Sequence, residues 1–491
     1  MRRLIAPEDM LSCEKKFFAE SGVPSISVME TAAAALADAA LSRFPDAKKI
    51  FIACGPGGNG GDGYACARLL QNAGKECEIY ASAPAKSPDA MENCRRAEEM
   101  GIPVYLEELP DTRPDLWIDC LYGTGLSREP SGRSAELIEL MNFHHCMGTG
   151  LLACDIPSGL NGRTGKAYEP CVRADVTVTF QLPKFGHFLQ DGLDVCGELI
   201  VADVGFPGFS GDACLFEPED LRGRLAPRKR NSYKGSYGHL LIVAGSFGMA
   251  GAAALCAKAA LRSGVGLVTI CCPEEIIPIL QVHAPQAMCT PLSVDNLKKV
   301  LPGKTAVAIG PGLTRNIHPE ILKIVLESEL PAAIDADALN ILSEHPEMKM
   351  LLKPHHVLTP HPGEAARLLG RTCCDPVADA RALADMGATA VLKGASRVIA
   401  SEKHCFISIS GGCGMARGGS GDVLTGILGA LLASYRAFSP NSGTMIPFTA
   451  AAACEIHGQA GELAQEKYGS YAMNSADIIE FLPEVFKQYE S

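Results

Sequence analysis

Short apolar runs that stop at glycine-rich turns, with helical stretches between them, recur along most of this chain and restrict what it can fold into. Lys49–Cys54, Glu76–Ala81, Leu116–Cys120 and Leu151–Asp155 read as buried strands, and the Ala-rich stretch Ser27–Phe44 as a helix. The segment Pro207–Arg230 breaks the rhythm with Pro, Gly and Arg, and the pattern then restarts. Gly238–Ala244, Gly266–Cys271, Ala306–Ile309, Ala332–Ile334, His356–Leu358 and Ala390–Leu392 are the strands expected there. Strands alternating with helices imply right-handed crossovers, parallel sheets and ligand sites at the strand carboxyl ends. An α/β chain of two units is expected: residues 1–210, a linker over 211–228, and residues 229–491.

Composition narrows the function. With 47% hydrophobic and 20% charged residues the chain can bury sizeable cores, so disorder as a class is excluded. A formal charge of −12 argues against a nucleic-acid backbone as partner. An anionic ligand must then be met locally, by backbone amides and a few cations. The basic cluster from Arg222 to Lys234 reads as a solvated linker. Twenty cysteines lack any CxxC spacing, which points to reduced thiols and neither a disulfide scaffold nor zinc. Met1-Arg2-Arg3 is followed by too few apolar residues before Glu8 and Asp9 for a secretory leader, and no run is apolar enough to span a membrane. A cytoplasmic homo-oligomer without nucleic-acid or membrane partners is expected.

The first glycine loop, Gly55-Pro56-Gly57-Gly58-Asn59-Gly60-Gly61-Asp62-Gly63, joins a strand to the helical pattern Tyr64–Asn72. Glycine permits close backbone approach to a ligand, and free amides at a helix start favour phosphate. The run has neither the G-x-G-x-x-G spacing of a dinucleotide fold nor the Lys-Ser/Thr of a P-loop. Two more loops follow strands: Asp119-Cys120-Leu121-Tyr122-Gly123-Thr124-Gly125-Leu126 and Asp155-Ile156-Pro157-Ser158-Gly159-Leu160. Strand-end aspartates are often caps or turn formers, but three such loops on one sheet should converge on its carboxyl edge. Oxygen ligands from Asn59, Asp119 and Ser158 would suit a hard cation.

These loops, with the later Phe180-Gln181-Leu182-Pro183-Lys184-Phe185-Gly186-His187-Phe188-Leu189, resemble the N-terminal domain of the NAD(P)H-hydrate epimerases over roughly Leu4 to Gly205. The resemblance implies a Rossmann-like three-layer domain that interconverts the two epimers of hydrated NADH and NADPH at ring carbon 6. It implies substrate contacts at Gly58, Asn59, Gly60, Gly61 and Asp62, at Gly123, Thr124, Gly125, Leu126, Ser127, Arg128 and Glu129, and at Asp155. It also implies potassium on Asn59, Asp119 and Ser158, and Asp155 as the acid/base. Gly58 departs from the family, which usually has Asn there.

The second glycine loop, Gly414-Met415-Ala416-Arg417-Gly418-Gly419-Ser420-Gly421-Asp422, precedes a strongly helical segment. Its amides can form an anion hole, and Asp422 stands where a carboxylate can take a proton from a hydroxyl, or merely serve the helix dipole. Lys393-Gly394-Ala395-Ser396-Arg397, Thr359-Pro360-His361-Pro362-Gly363-Glu364, Gly310-Pro311-Gly312-Leu313 and Asp335–Asn340 all follow expected strands.

Together with Asn231–His239 and Gly245–Ala252, this set resembles the ADP-dependent NAD(P)H-hydrate dehydratases, within the ribokinase-like α/β superfamily. By that resemblance Ala252, Gly312, His361 and Asp422 contact the hydrated nucleotide. Lys393, Gly394, Ala395, Ser396, Arg397 and Gly421 hold ADP, with magnesium on its phosphates. Arg397 replaces the more usual Thr. Two rival readings stand beside a two-headed repair enzyme acting on NADH hydrate and NADPH hydrate. One is a ribokinase-like vitamin-precursor kinase. The other makes the first domain a non-catalytic binding module, as in RNA-processing assemblies.

Overall fold

The structure is a computed structural model that describes residues 1–206, 211–222, 225, 228–438 and 445–490. Within the expected linker, residues 223, 224, 226 and 227 lie outside the described residues, as do 207–210 at the boundary segment. The chain divides into two compact units, one of Arg3–Asp212 and one of Met1–Arg2 with Ala213–Ser491.

In the first unit the described strands form a parallel sheet in the order Val104–Tyr105, Glu76–Ala81, Lys49–Cys54, Leu116–Cys120, Gly150–Cys154, Val176–Phe180 and Glu198–Ala202. Its central strands are buried on both faces, as unbroken apolar runs in a parallel sheet require. One face is covered by Ser25–Arg43 and Gly58–Asn72, with Leu36, Ala40, Tyr64 and Leu70 in the core. Arg133–Cys146 covers the other with Leu137, Ile138 and Met141 beside Trp117.

Helix Gly58–Asn72 starts six residues before the expected Tyr64, because the glycines are the first helical turns rather than a loop before them. Their reason is space. A Cβ at Gly60 would run into the Gly55 carbonyl, and one at Gly63 would sit 2.7 Å from Cys54 Sγ and 2.8 Å from Cys120 Cβ. Gly58 has nothing within 4 Å of that position, so the departure from Asn there relieves no crowding.

The second unit's strands run Ala213–Leu215, Cys405–Ser408, Arg397–Ala400, Thr389–Leu392, His356–Leu358, Ala332–Ile334, Ala306–Ile309, His239–Val243, Leu267–Cys272 and Met288–Pro291. The six expected strands are all present and run parallel to one another, whereas Arg397–Ala400 pairs antiparallel with both of its neighbours, Thr389–Leu392 and Cys405–Ser408. Part of the stretch read as a linker joins this sheet, Cys214 and Leu215 pairing with Phe406 and Ile407. Ala213 and Leu215 are buried there, which is why the segment orders as a strand. Helices Ala250–Arg262, Ser420–Phe438 and Met445–Tyr468 share one apolar core with the sheet.

Among the described residues no disulfide joins two cysteines. Among the described residues no helix is long and apolar enough to cross a membrane.

Candidate active sites at two sheet edges

In the first unit, strands Lys49–Cys54, Leu116–Cys120 and Gly150–Cys154 deliver their loops to one edge. Asp119, fully buried, accepts from Ser158 Oγ (2.7 Å) and the Leu121 amide (3.1 Å) on Oδ1, and from the Ser158 amide (2.7 Å) on Oδ2. Burial pushes its carboxyl up to about 6, restrained by those hydrogen bonds. The Tyr122 amide donates to Ser158 Oγ at 2.9 Å. Asn59, in the first turn of the glycine helix, has its Nδ2 shielded from solvent and without a hydrogen-bond partner. A Cβ at Gly123 would lie 3.4 Å from both Asn59 Oδ1 and Asp155 Oδ2, so the three residues face one space that only a glycine leaves open. The oxygens of Asn59, Asp119 and Ser158 are the donor type a hard cation takes, while the orphaned Asn59 Nδ2–H calls for an acceptor on a ligand. Ser127, Arg128 and Glu129 are exposed on the turn that follows, together with Gly125.

Asp155 takes the left-handed conformation, φ 63°, a position aspartate tolerates and functional turns exploit. Its Oδ1 accepts from Lys184 Nζ at 2.6 Å and from Thr179 Oγ1 at 3.0 Å. Lys184 is itself buried, and its ammonium also reaches Thr179 Oγ1 (3.0 Å) and the Phe180 carbonyl (3.3 Å). Burial alone would raise the Asp155 carboxyl; the Lys184 charge and hydrogen bond outweigh it and hold the group below its ordinary value. Burial, then the like charge of Lys184, depresses His187 to about 4, and its ring Nε2 meets the Asp155 carbonyl at 2.9 Å. Asp62 is driven the other way, well above its usual range, by burial and then by Asp155 and Glu14. Lys184 and His187 lie in the Phe180–Leu189 run that carries the resemblance but had no role assigned from the sequence, and Thr179 was not singled out; a lysine inside that apolar run is itself a signal.

In the second unit the glycine loop ends at helix Ser420–Phe438, with Asp422 in its first turn. Burial and then neighbouring Asp335 raise the Asp422 carboxyl to about 6, against the pull of Lys393. Lys393 follows strand Thr389–Leu392 and places Nζ 2.7 Å from Asp335 Oδ1, while Thr425 Oγ1 donates to Asp335 Oδ2 at 2.7 Å. A Cβ at Gly421 would be 3.4 Å from Lys393 Nζ and 3.6 Å from Asp335 Oδ2, so the bare helix start faces both charges. Asp335 and Thr425 complete this cluster; the Asp335–Asn340 run showed the first, and nothing in spacing shows the second.

Gly312 (φ 63°) and Ala252 face each other, a Cβ on the glycine falling 3.0 Å from the alanine Cβ. His361 caps helix Pro362–Leu369: its Nδ1 accepts from the Gly363 and Glu364 amides at 3.0 and 3.4 Å. An accepting Nδ1 leaves Nε2–H as the ring's donor on a half-exposed side chain. Arg397, expected against ADP, is buried and its Nη1 donates to the Ser410 carbonyl. Its guanidinium therefore braces the Ser410–Gly411 turn, with Cys454, Glu455 and Glu462 as its surrounding acidic groups.

A cavity of about 660 Å³, lined by Phe44–Ala47, Arg113–Asp115 and Gly148–Gly150, lies at the amino ends of the first unit's strands, away from this chemistry.

Solved structures resemble the second unit. A ribokinase-like superfamily protein from Enterococcus faecalis superposes with TM-score 0.51 at 25% identity, covering 58% of this chain and 99% of its own. An ADP/ATP-dependent NAD(P)H-hydrate dehydratase from Bacillus subtilis, co-crystallised with ATP and Mg²⁺, gives 0.50 at 28% identity, covering 57% and 99%. The class defined by fold and sites is thus an α/β enzyme with a Rossmann-like first unit and a ribokinase-like second unit. Residues 240–484 match the NAD(P)H-hydrate dehydratase family, and 25–186 the family of YjeF-related protein N-termini. Bifunctional NAD(P)H-hydrate repair enzymes of Coxiella burnetii and Escherichia coli are each 36% identical to it; the alignments cover 94% and 90% of this chain and 95% and 86% of theirs. The chain belongs to the bifunctional NAD(P)H-hydrate repair enzyme family.

Proposed function

We propose that residues 1–210 interconvert the R and S forms of NADH hydrate and NADPH hydrate, and that residues 229–491 dehydrate the S form with ADP, releasing AMP and phosphate. Residues 211–228 join the two. The observation that carries this reading is shared by both units: a lysine ammonium, Lys184 or Lys393, pairs with a buried aspartate, Asp155 or Asp335, at the carboxyl edge of a sheet, and Asp422 stands near the second pair. Such an edge is where α/β enzymes hold substrate.

In the first site Asp155, kept ionised by Lys184, takes the proton of the ring hydroxyl on carbon 6. The C6–N1 bond opens to an aldehyde, its electron pair staying on N1 in conjugation with the carboxamide. After rotation N1 closes on the other face of the carbonyl, and Asp155 returns the proton to oxygen. Gly58–Asp62 and Gly123–Glu129 hold the nucleotide. Asn59, Asp119 and Ser158 would hold potassium, which when bound supplies a fixed positive charge beside the Gly123 turn.

In the second site Asp422 deprotonates the same hydroxyl, and the oxygen attacks the terminal phosphoryl group of ADP. Lys393 and the amides around Gly421 face the charge that develops, as phosphoryl transfer requires. Loss of phosphate from carbon 6 and of a proton from carbon 5 restores the C5–C6 double bond. Gly312, Ala252 and His361 position the hydrated ring, while Gly394, Ala395 and Ser396 line the nucleotide. Magnesium, when bound with the nucleotide, would supply charge neutralisation. We place the enzyme in the cytoplasm as a homo-oligomer whose partners are small molecules.

The test is absorbance recovery at the dihydronicotinamide band from mixed hydrate epimers plus ADP. Complete recovery is expected. Recovery of about half marks a silent first unit, and ATP-dependent phosphorylation of an unrelated alcohol without recovery would support the kinase reading.

A further inference from the structure

His187 takes no part in the chemistry proposed for the first unit, yet it bridges the backbones of both members of the Asp155–Lys184 pair. It lies in the buried turn Phe185–Phe188 and is 3% exposed. Its Nδ1 is 3.1 Å from the Lys184 amide nitrogen, and its Nε2 is 2.9 Å from the Asp155 carbonyl oxygen. We propose that His187 is a positioning residue for epimerisation: acting through the two backbones, it holds the Asp155 carboxylate and the Lys184 ammonium in place without touching substrate. This rests on the epimerase reading above.

The two partners fix the state of the ring. An amide N–H can only donate and a carbonyl can only accept, so Nδ1 is the bare acceptor and Nε2 carries the hydrogen. Charging the ring would set one N–H against another at Lys184. Burial, and then the like charge of Lys184, depress the ring to about 4 against the pull of Asp155. Across the neutral range His187 is therefore a brace with one donor and one acceptor, both used.

What it braces is the strained part of the site. Asp155 sits in the left-handed region, φ 63°, a conformation that a non-glycine residue keeps only where its surroundings over-determine it. The Asp155 amide donates to the Val178 carbonyl at 2.7 Å, and His187 takes the carbonyl side of the same residue. Lys184 is tied down similarly: the carbonyl of its neighbour Pro183 accepts the Ile5 amide at 3.1 Å, and its own amide goes to His187. The Lys184 ammonium then closes the circuit on Asp155 Oδ1 at 2.6 Å. Glu14 and Asp62 are the other carboxyls coupled to this pair, and burial pushes both above their ordinary values, so Lys184 answers chiefly to Asp155. Misplacing a reacting group by about 1 Å costs on the order of 10²-fold in rate, which gives such a brace its importance.

The experiment compares His187→Leu and His187→Gln in the full chain, following epimerisation by chromatographic separation of the two hydrates. Leucine offers neither contact, whereas glutamine keeps one acceptor and one donor in a plane. His187→Leu should lower kcat by about 10²-fold and leave KM within about twofold. The parent rate should be level above about pH 5, clear of Asp155 and His187, while His187→Leu should gain an acid limb inside about pH 5–7 as burial lifts a less firmly held Asp155. His187→Gln should recover most of the lost rate and the level profile. ADP-dependent dehydration by the same molecules and circular dichroism report folding. A folded His187→Leu protein with an unmoved profile, a KM change as large as the kcat change, or no recovery with His187→Gln would overturn the proposal. Heteronuclear NMR of the histidine-labelled parent, with the resonance identified by its loss in His187→Gln, should show a bare Nδ1 and a protonated Nε2 from about pH 5 to 8. A charged ring, or a hydrogen on Nδ1, would overturn it equally. If the parent leaves the two hydrates unexchanged, the epimerase reading itself fails, whatever the ring shows.

Discussion

Replacing Lys184 with methionine removes an ammonium 2.6 Å from Asp155 Oδ1 while roughly preserving the stem's volume. At Asp155 burial and Lys184 pull in opposite directions, and the lysine with its companion donors prevails. An opposite charge at this range lowers a carboxyl by about 1–3 units, so its loss should raise Asp155 by that amount, at about 1.4 kcal/mol per unit. In the proposed mechanism epimerisation needs the ionised carboxylate. Its rate, followed across about pH 4 to 9 by chromatographic separation of the two hydrates, should therefore show an acid limb displaced upward by about 1–3 units. Stability changes in the same sense. A carboxyl held below its ordinary value stabilises the fold above that value and ceases to as pH falls through the lowered one, so the variant forfeits this support at neutral pH. Breaking a buried pair costs about 3–5 kcal/mol. ADP-dependent dehydration by the same molecule and its circular dichroism report whether the variant is folded. Thr179→Val, which removes a neutral donor at 3.0 Å, should move the limb far less. A folded Lys184→Met protein with an unmoved acid limb would refute the reasoning.

Further outcomes are expected at Asp422 and along the glycine helix. Asp422→Asn should cut dehydration by on the order of 10²–10⁴, and in the parent kcat/KM for dehydration should fall as pH drops through about 6, where that carboxyl takes up its proton; a pH-independent rate down to that region would dismiss Asp422 as the base. Gly60→Ala, whose Cβ meets the Gly55 carbonyl, should lower the thermal midpoint by the equivalent of about 1–3 kcal/mol. Gly58→Ala, with open space, should leave the midpoint unchanged or raise it; equal losses at the two positions would contradict the packing account.

The centre of each sheet was legible because parallel strands buried on both faces are continuous apolar runs, as in Leu116–Cys120 and Ala306–Ile309. Strands such as Val176–Phe180 and Cys405–Ser408, with alternating or mixed polarity, stood out less. The start of helix Gly58–Asn72 was hidden because glycine is a poor helix former, and only the tertiary crowding at Gly60 and Gly63 explains its use there. Site loops announced themselves through glycines and strand-end aspartates. Their partners did not: Lys184 lies 29 residues from Asp155, and Thr425 lies 90 from Asp335, distances that only folding closes.

The two carboxylates proposed as bases sit on opposite sides of an ordinary aspartate, one drawn down by a lysine and the other lifted by burial and a second acid. Under mild acidification, then, handedness would keep scrambling in the first unit while consumption in the second slowed. Damaged coenzyme would accumulate as a balanced pair of isomers rather than as one stranded form, and the stall would reverse as soon as neutrality returned.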